Sequence, residues 1–482
     1  MRNSPRIDAK TILPGQFIPQ LYFYSQVTSA HLHPVIQTLL KLKPDQLVNQ
    51  YCNIHPEADP LKLQMILAYH PKFLNWAGSD FFLTTDEKGR KVMLLLEMNS
   101  CPAGQKSMPI DKPMDPHRGY GILVEKVFIR CIEEIPRNRG GIAVIFDKNV
   151  MEASGYAATI ADILKEPIYL AEWLDQSLDP GVHFDENGIM QVRGEDSQWH
   201  NIRAAFRYVT QRPWNRIPIN TKTLIFNPII ACLAGGRNKL IAAKAYEEFN
   251  SHFNSYGLKI QTPHTIYDVQ KEEVPFWVNQ MGGSAIVKVP YRNAGQGIYI
   301  LTNDILVKEF ISRQYPYEKF IIQNLIGKSL WHSQDQKWPQ SLVGTVPDQN
   351  GKSYAFDLRI MIGSSREGYI LLATFARRAK SCLCDEIKTL QNPWDVLGTN
   401  LSRKKGDTWE IETDRLLVVN EKDFAILGLN LDDFIEAFIQ TVLAAVAIDQ
   451  MAQKLITEEG NLNWKLFQQL NPDPKFVREI IG

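Results

Sequence analysis

Cysteine is scarce in this chain. There are 6 in 482 residues, none in the paired spacing of a structural zinc site, and Cys382 and Cys384 form only a C-x-C. That usage fits free thiols in a reducing compartment better than a disulfide framework. Charge of one sign is also missing: Lys plus Arg and Asp plus Glu number 53 each. Global charge therefore does not argue for nucleic acid or an anionic membrane surface as a partner. No apolar run is long enough to span a bilayer. The longest near the end, "IEAFIQTVLAAVAIDQ", contains Glu436 and Gln440 and reads as a buried helix. The opening "MRNSPRIDAK" has no secretory apolar core, so a cytoplasmic location is expected. Internal repeats, low-complexity segments and long charge runs are absent as well.

The composition that is there, 44% hydrophobic and 22% charged, is that of an ordinary globular protein. At this length two or three domains are expected. Residues 28 to 70 read as helices, from apolar positions at helical spacing in "HLHPVIQTLLKL" and "LKLQMILAYH". A hairpin follows in "SDFFLTTDEKGRKVMLLLEMN", its two apolar runs joined by a turn rich in Asp, Lys and Gly. "GIAVIFDKN" reads as a buried strand, and "GYAATIADILKEPIYLAEWL" as a helix, a break and another strand, which is α/β alternation. Near residue 235 a helix opens in "AGGRNKLIAAKAYEEF". "GSAIVKVPYRNAGQGIYIL" is strand, glycine-rich turn, strand. "KFIIQNLIG", "YAFDLRIMIG" and "GYILLATFARRA" are further strands, the last two a plausible pair.

The hairpin carries Asp80 on its first strand and Glu97 and Asn99 on its second. Strand side chains alternate, so Glu97 and Asn99 share a face. Two carboxylates and an amide oxygen are ligands of the type Mg²⁺ takes while keeping waters and phosphates; a solvated sheet end is the plainer reading. Lys288 lies in a buried-type strand, where a lysine is costly unless paired. The turn after it, with Asn293, Gly295 and Gly297, has backbone N–H groups that can close over phosphates. An ordinary hairpin would also look like this.

Taken together and in order, these segments resemble the ATP-grasp superfamily in its circularly permuted branch, which includes glutathionylspermidine synthetase-like ligases. "GSDFFLTTDEKGRKVMLLLEMNSCPAG" resembles the acidic hairpin that ends in Glu-x-Asn, which ordinary members carry late and this chain carries early. "GGIAVIFDKNVMEASGYAATIADILKEPIYLAEWLD" resembles a pre-ATP-grasp unit, "FNPIIACLAGGRNKLIAAKAYEEF" the helix that opens the nucleotide half, and "SAIVKVPYRNAGQGIYIL" the phosphate-covering loop. "KFIIQNLIGKSL" resembles the adenine hinge, and "FDLRIMIGSSREGYILLATFARRA" the arginine-bearing strands. The resemblance runs from about residue 70 to 405. It implies a fold that is α/β and α+β: an ATP-grasp fold in permuted order with a Rossmann-like pre-ATP-grasp unit. Three units are expected: helices and metal hairpin over 1–138, the pre-ATP-grasp unit over 139–234, and the nucleotide-binding part with C-terminal helices over 235–482.

The resemblance also implies roles. Asp80, Glu97 and Asn99 would hold Mg²⁺ on ATP; Lys239 and Lys288 would meet phosphates and the adenine surroundings. Asn293, Gly295, Gln296 and Gly297 would form the lid. Gln323, Asn324 and Ile326 would line the adenine, and Arg359 and Arg377 would stabilise the transferring phosphate. Two departures stand out: Gln323 takes the place where an acidic residue often meets the ribose, and Gln296 lies between the lid glycines. Other readings stay open. Asp357 is two residues from Arg359 and could simply pair with it, Arg378 competes with Arg377 for the inward position, and Lys239 could be a solvated lysine. Arg207, Arg212 and Arg216, interleaved with Tyr208 and Trp214, could seat a carboxylate or pack a domain-joining loop. Cys101 has no histidine nearby to act as its base, and Asn400 is a candidate to face the site. The expected activity is ATP-dependent ligation of a small carboxylate to a small amine through an acyl phosphate, releasing ADP and phosphate. Its rivals are a small-molecule kinase or phosphotransferase and a non-catalytic ATP-binding protein. Neither nucleic acid nor membrane is expected as a partner.

Overall fold

A computed structural model describes residues 8–109, 116–174, 179–208, 214–292, 295–327, 340–405 and 408–481. It is a mixed α/β protein built on three main sheets. One is centred on Gly141–Phe146, flanked in parallel by Ile168–Glu172 and Trp199–Tyr208, with Leu224–Phe226 parallel on the far side of the latter. "GIAVIF" is apolar throughout because both faces of a parallel sheet are covered. The helix Val150–Leu164 provides the crossover between the first two of these strands. Lys10–Ile12 pairs antiparallel with Ile168–Glu172, so a segment read with the N-terminal helices closes an edge of this sheet instead.

The second sheet joins distant parts of the chain. Trp76–Asp86 pairs with Lys91–Asn99 on one side and with Phe356–Ser365 on the other. Phe356–Ser365 then pairs with Gly368–Arg378, the expected partner. The third sheet is antiparallel, in the order Thr265–Gln270, Lys319–Asn324, Ala285–Lys288, Ile298–Leu301.

The helix Leu431–Lys454 packs against Lys91–Asn99, the helix Lys239–Phe253 and the N-terminal helix Pro44–Ile54. Nearly every one of its side chains is buried, as its all-round apolar sequence requires. Its buried polar groups are partnered. Gln440 accepts from the Gln261 amide at 2.8 Å and donates to the Lys259 carbonyl at 2.9 Å. Asp449 accepts from the backbone N–H groups of Lys72, Phe73 and Leu74 at 3.0, 2.7 and 2.8 Å and from the Tyr69 hydroxyl at 2.7 Å. This fixes the chain where it enters the acidic hairpin. Among the described residues no helix is long and apolar enough to cross a membrane.

Asp449→Ala leaves three backbone N–H groups without their acceptor, that of Leu74 buried and those of Lys72 and Phe73 part-buried. A loss on the order of 3 kcal/mol is expected, each uncompensated donor costing about 1 kcal/mol or more. A lowered urea midpoint at unchanged m-value would register it.

Candidate functional site

The acidic hairpin is not regular at the end that matters. Asp80 faces Glu97, but Phe81 faces Leu95, so Leu96 is an extra residue at a bulge. A bulge frees backbone groups and re-aims neighbouring side chains. The freed carbonyl of Leu96 accepts from Lys288 Nζ at 3.4 Å. Beyond the bulge Glu97 and Asn99 share a face, and the Asn99 carboxamide donates to Glu97 Oε1 at 3.4 Å. Lys239, at the start of its helix, places Nζ 3.5 Å from Glu97 Oε2 and donates to the Arg292 carbonyl at 2.6 Å. It is therefore a paired lysine, not a solvated one.

Across the sheet Asp80 faces Arg359 in register, and the two form a bidentate ion pair: Nε to Oδ1 and Nη2 to Oδ2, both at 2.6 Å. Arg359 Nη1 also donates to the Ala103 carbonyl at 2.9 Å. Arg377 reaches Asp80 Oδ2 at 3.0 Å and donates from Nε to Asp357 Oδ1 at 2.9 Å. Asp357 thus pairs with Arg377 rather than with Arg359, and the Thr399 hydroxyl donates to it at 2.8 Å. Arg377 is the inward arginine; Arg378 instead lies over the Tyr354 ring, 4.9 Å from its centroid.

Lys239 lines an adjoining cavity on the other side of Glu97 and Lys288, whereas Asp80, Glu97, Asn99, Lys288, Asp357, Arg359 and Arg377 meet on one of about 700 Å³. Its apolar wall includes Phe82, Ile286, Ile300 and Ile326, with Gln323 and Asn324 beside them. Gln323 donates to the Thr265 hydroxyl at 2.8 Å, whereas Asn324 Oδ1 is buried without a partner. Gly295 and Gln296 line the cavity too. Gly295 and Gly297 have φ of 74° and 71°, a left-handed turn that glycine adopts without strain. Asn293 and Arg212 lie outside the described residues. Asn400 lines the cavity and donates to the Ser402 carbonyl at 3.2 Å.

Charge is concentrated here. Burial raises the Glu97 carboxyl, but Lys239, Lys288 and Arg359 outweigh it and hold the group at about 2, so Glu97 is a carboxylate. Burial brings the Lys288 ammonium down to about 8, against the opposing pull of Glu97. Arg377 is held charged: burial works against the charge, and Asp357 and Asp80 more than restore it.

The oxygen donors suit a hard cation, with one qualification in the geometry. Glu97 and Asn99 present a carboxylate and an amide oxygen side by side, whereas both Asp80 oxygens accept from Arg359. Among the described residues no cluster of three or more His, Cys, Asp or Glu is arranged to hold a metal. The set fits Mg²⁺ in the form that leaves most positions to water and phosphate.

Other candidates are structural. Arg207 is fully buried and donates to the Asn227 carbonyl, Arg216 pairs with Asp147 at 3.3 Å, and Trp214 is packed. The Cys101 thiol donates to the Arg207 carbonyl at 3.3 Å, and burial pushes it up to about 11, the opposite of an activated nucleophile. The sequence reading missed Lys106, Lys148, Arg237 and Thr399, and named Tyr208 and Asp357 only as a loop aromatic and a pairing acid; all six are on the cavity wall. Lys148 had a signal, since it directly follows a buried strand of an α/β unit, where such sheets bind ligands.

No family model matches the chain, and no curated protein matches it. Among solved structures it is similar to a glutathione synthetase-like effector from Globodera pallida, at 10% identity and a TM-score of 0.40 over 73% of this chain and 86% of that one. It is similar to D-alanyl-alanine synthetase A from Vibrio cholerae, at 11% identity and a TM-score of 0.31 over 49% and 88%. A RimK domain ATP-grasp protein from Sphaerobacter thermophilus follows, at 10% and 0.29 over 54% and 96%. Likeness at this level assigns no activity to this chain.

Lys288 gives a pH test of the site. Its folded pKa lies below the unfolded value, so the unfolded chain binds more protons between about 8 and 10.5. Stability therefore rises with pH across that window. Relative to Lys288→Met, the wild type is expected to gain up to about 3 kcal/mol between the two limits. Denaturant titrations of both proteins at several pH values would measure it, and parallel curves would remove Lys288 from its buried, charged position.

Proposed function

We propose that the chain is an ATP-dependent carboxylate–amine ligase of the ATP-grasp type, its acidic hairpin permuted to the N-terminal side. One observation carries the reading. A single cavity has an apolar, amide-bearing wall at one end and, next to it, Lys288, Arg359 and Arg377 facing Asp80, Glu97 and Asn99. An adenine matches the first and a metal–triphosphate the second. The shared sheet of residues 76–99 and 356–378 supports the permuted reading, because the hairpin supplies the acids to arginines that follow in sequence.

In this reading Gln323, Asn324 and Ile326 receive the base, and Gly295, Gln296 and Gly297, with Asn293, cover the phosphates. Glu97 and Asn99, with Asp80 once Arg359 releases it, would hold Mg²⁺, which would supply charge neutralisation on the phosphates. Lys239 and Lys288 add fixed positive charge beside Glu97. Arg359 is held on Asp80 and can exchange that carboxylate for a phosphate oxygen, since guanidinium binds both in the same bidentate geometry. Arg377, fixed by Asp357, faces the same point. Phosphoryl transfer needs positioning and charge more than covalent help, and the site offers no activated nucleophile. The acid attacks the γ-phosphorus, ADP leaves, an amine attacks the acyl carbon, and phosphate departs. The lid keeps water from the acyl phosphate.

ADP and inorganic phosphate are the expected nucleotide products. With hydroxylamine in place of the natural amine, the acid should form a hydroxamate alongside ADP. AMP as the main product would overturn the acyl-phosphate route, and a stable phosphorylated product without hydroxamate would mark a kinase. Glu97→Gln should lower turnover by about a hundredfold or more, through loss of a charged metal ligand, and weaken Mg²⁺-dependent ADP binding in calorimetry. Near-normal activity at ordinary Mg²⁺, with circular dichroism showing an intact fold, would refute the metal role.

A further inference from the structure

The same cavity is lined by a second set of elements besides the acidic hairpin and the arginine-bearing strands. There the parallel strands Gly141–Phe146 and Trp199–Tyr208 end together, Phe146 opposite Tyr208. Asp147, Lys148, Asn149 and Tyr208 line this end, which is where open parallel sheets receive ligands. Arg237 enters from the turn before the helix Lys239–Phe253. It is 7% exposed, donates from Nη2 to the Cys101 carbonyl at 3.2 Å, and its buried Nε has no partner.

The nearby acids are already engaged. Asp147 pairs with Arg216 at 3.3 Å. Glu152, fully buried, accepts from the Gly104 and Gln105 amides at 2.7 and 2.8 Å and from the Tyr208 hydroxyl at 3.0 Å. It also stands 3.7 Å from Lys106 Nζ. Among the described residues Lys148 forms no ion pair. Two cations, Lys148 and Arg237, therefore line the cavity with no ion pair of their own among the described residues, Asp147 acting on Lys148 only through its field. Burial, and then the charge of Arg237, bring Lys148 down to about 8. Unpaired cations in a half-closed cavity are costly, and an anionic ligand would relieve that cost.

Resting on the ligase reading, we propose that Lys148 and Arg237 form a subsite for a second carboxylate on the acid substrate, so that the acid is a dicarboxylate. The spacing suits a small one. Arg359 and Arg237 hold the carbonyls of Ala103 and Cys101, two residues apart. Two residues span at most roughly 7 Å, which puts the guanidiniums on the order of 10 Å apart. Allowing roughly 3 Å for a hydrogen bond at each end leaves a few ångströms, roughly 4 Å, between the two carboxylates, the scale of a small diacid such as glutarate.

Calorimetry with glutarate and valerate, in the presence of ADP and Mg²⁺ and again without them, tests this. Glutarate should bind at least about tenfold more tightly than valerate, the worth of one charge-assisted contact. Lys148→Met and Arg237→Met should each weaken glutarate by about tenfold or more, with ADP–Mg²⁺ affinity unchanged. Lys148→Met removes no hydrogen bond or ion pair among the described residues, so it remains informative if Arg237→Met fails to fold. Equal affinity for the two acids, no glutarate binding up to about 10 mM, or glutarate binding unaltered in a folded Lys148→Met protein would overturn the subsite. Failure of ADP–Mg²⁺ to bind the wild type would sink the ligase reading instead, while the nucleotide-free titration would still decide whether the cationic end selects diacids.

Discussion

The bidentate pair between Asp80 and Arg359 is the contact on which the rest of the site depends. It lies at the register point where the N-terminal hairpin meets the strands that follow residue 355, and it fixes both the sheet and the chemistry. Asp80 also accepts from Arg377, which Asp357 holds in turn, Asp357 itself accepting from the Thr399 hydroxyl. A buried network of this kind contributes little net stability against an apolar substitute, but losing one member leaves a buried charge without a partner. The sheet can therefore close in only one register without stranding an ion. The arrangement that specifies the fold also keeps two guanidiniums pointed at one place.

The segment from Leu96 to Gly104 carries that order across the cavity. Side chains from three separate elements donate to its carbonyls: Lys288 to Leu96, Arg237 to Cys101 and Arg359 to Ala103. Its amides are held as well, Ser100 by the Gly236 carbonyl at 2.9 Å and Gly104 by Glu152 at 2.7 Å. Gly104 has φ 157°, and a Cβ there would run into Phe375 and Met361. Asn227 fastens both ends of the acidic hairpin, accepting from the Asn75 and Trp76 amides at 2.9 and 3.2 Å and donating to the Ser100 carbonyl at 2.5 Å. A loop in this position is as rigid as a strand, and each cation bound to it keeps a fixed station along the cavity.

Local pattern made much of this legible. The hairpin, the buried strand "GIAVIF", the paired strands bearing Arg359 and Arg377, and the buried C-terminal helix all follow from period and turn chemistry that a short window contains. Alternation along one strand sufficed to put Glu97 beside Asn99. The partner of Arg359 was not legible, since Asp80 is 279 residues away and Asp357 only two. Side-chain alternation correctly put Asp357 and Arg359 on one face, but cross-strand register decides which acid each arginine meets, and register between distant strands leaves no mark in local sequence. The bulge at Leu96 was hidden for the same reason. Lys148 and Arg237 escaped because each stands next to a segment with a ready structural explanation, a strand end and a helix start.

The cavity's charge is graded along its length, and the gradient bears on how a reaction could be ordered there. At one end the wall is apolar, with a single unpartnered amide oxygen at Asn324. In the middle, three cations, Lys288, Arg359 and Arg377, stand against three carboxylates, Asp80, Glu97 and Asp357, with Lys239 paired to Glu97 from an adjoining cavity, and every one of them is within ion-pair or hydrogen-bond reach of an opposite or polar partner. At the far end Arg237 holds only the Cys101 carbonyl, and among the described residues neither it nor Lys148 forms an ion pair. A polyanion entering the middle must displace existing pairs, which costs desolvation and selects ligands able to replace both a carboxylate and its geometry, as a metal-bound phosphate does. An anion entering the far end displaces nothing but water. On the proposed reading the middle takes a ligand that arrives with its own cation, and the far end one that arrives without. The two can fill the cavity together because their charges are met by different residues.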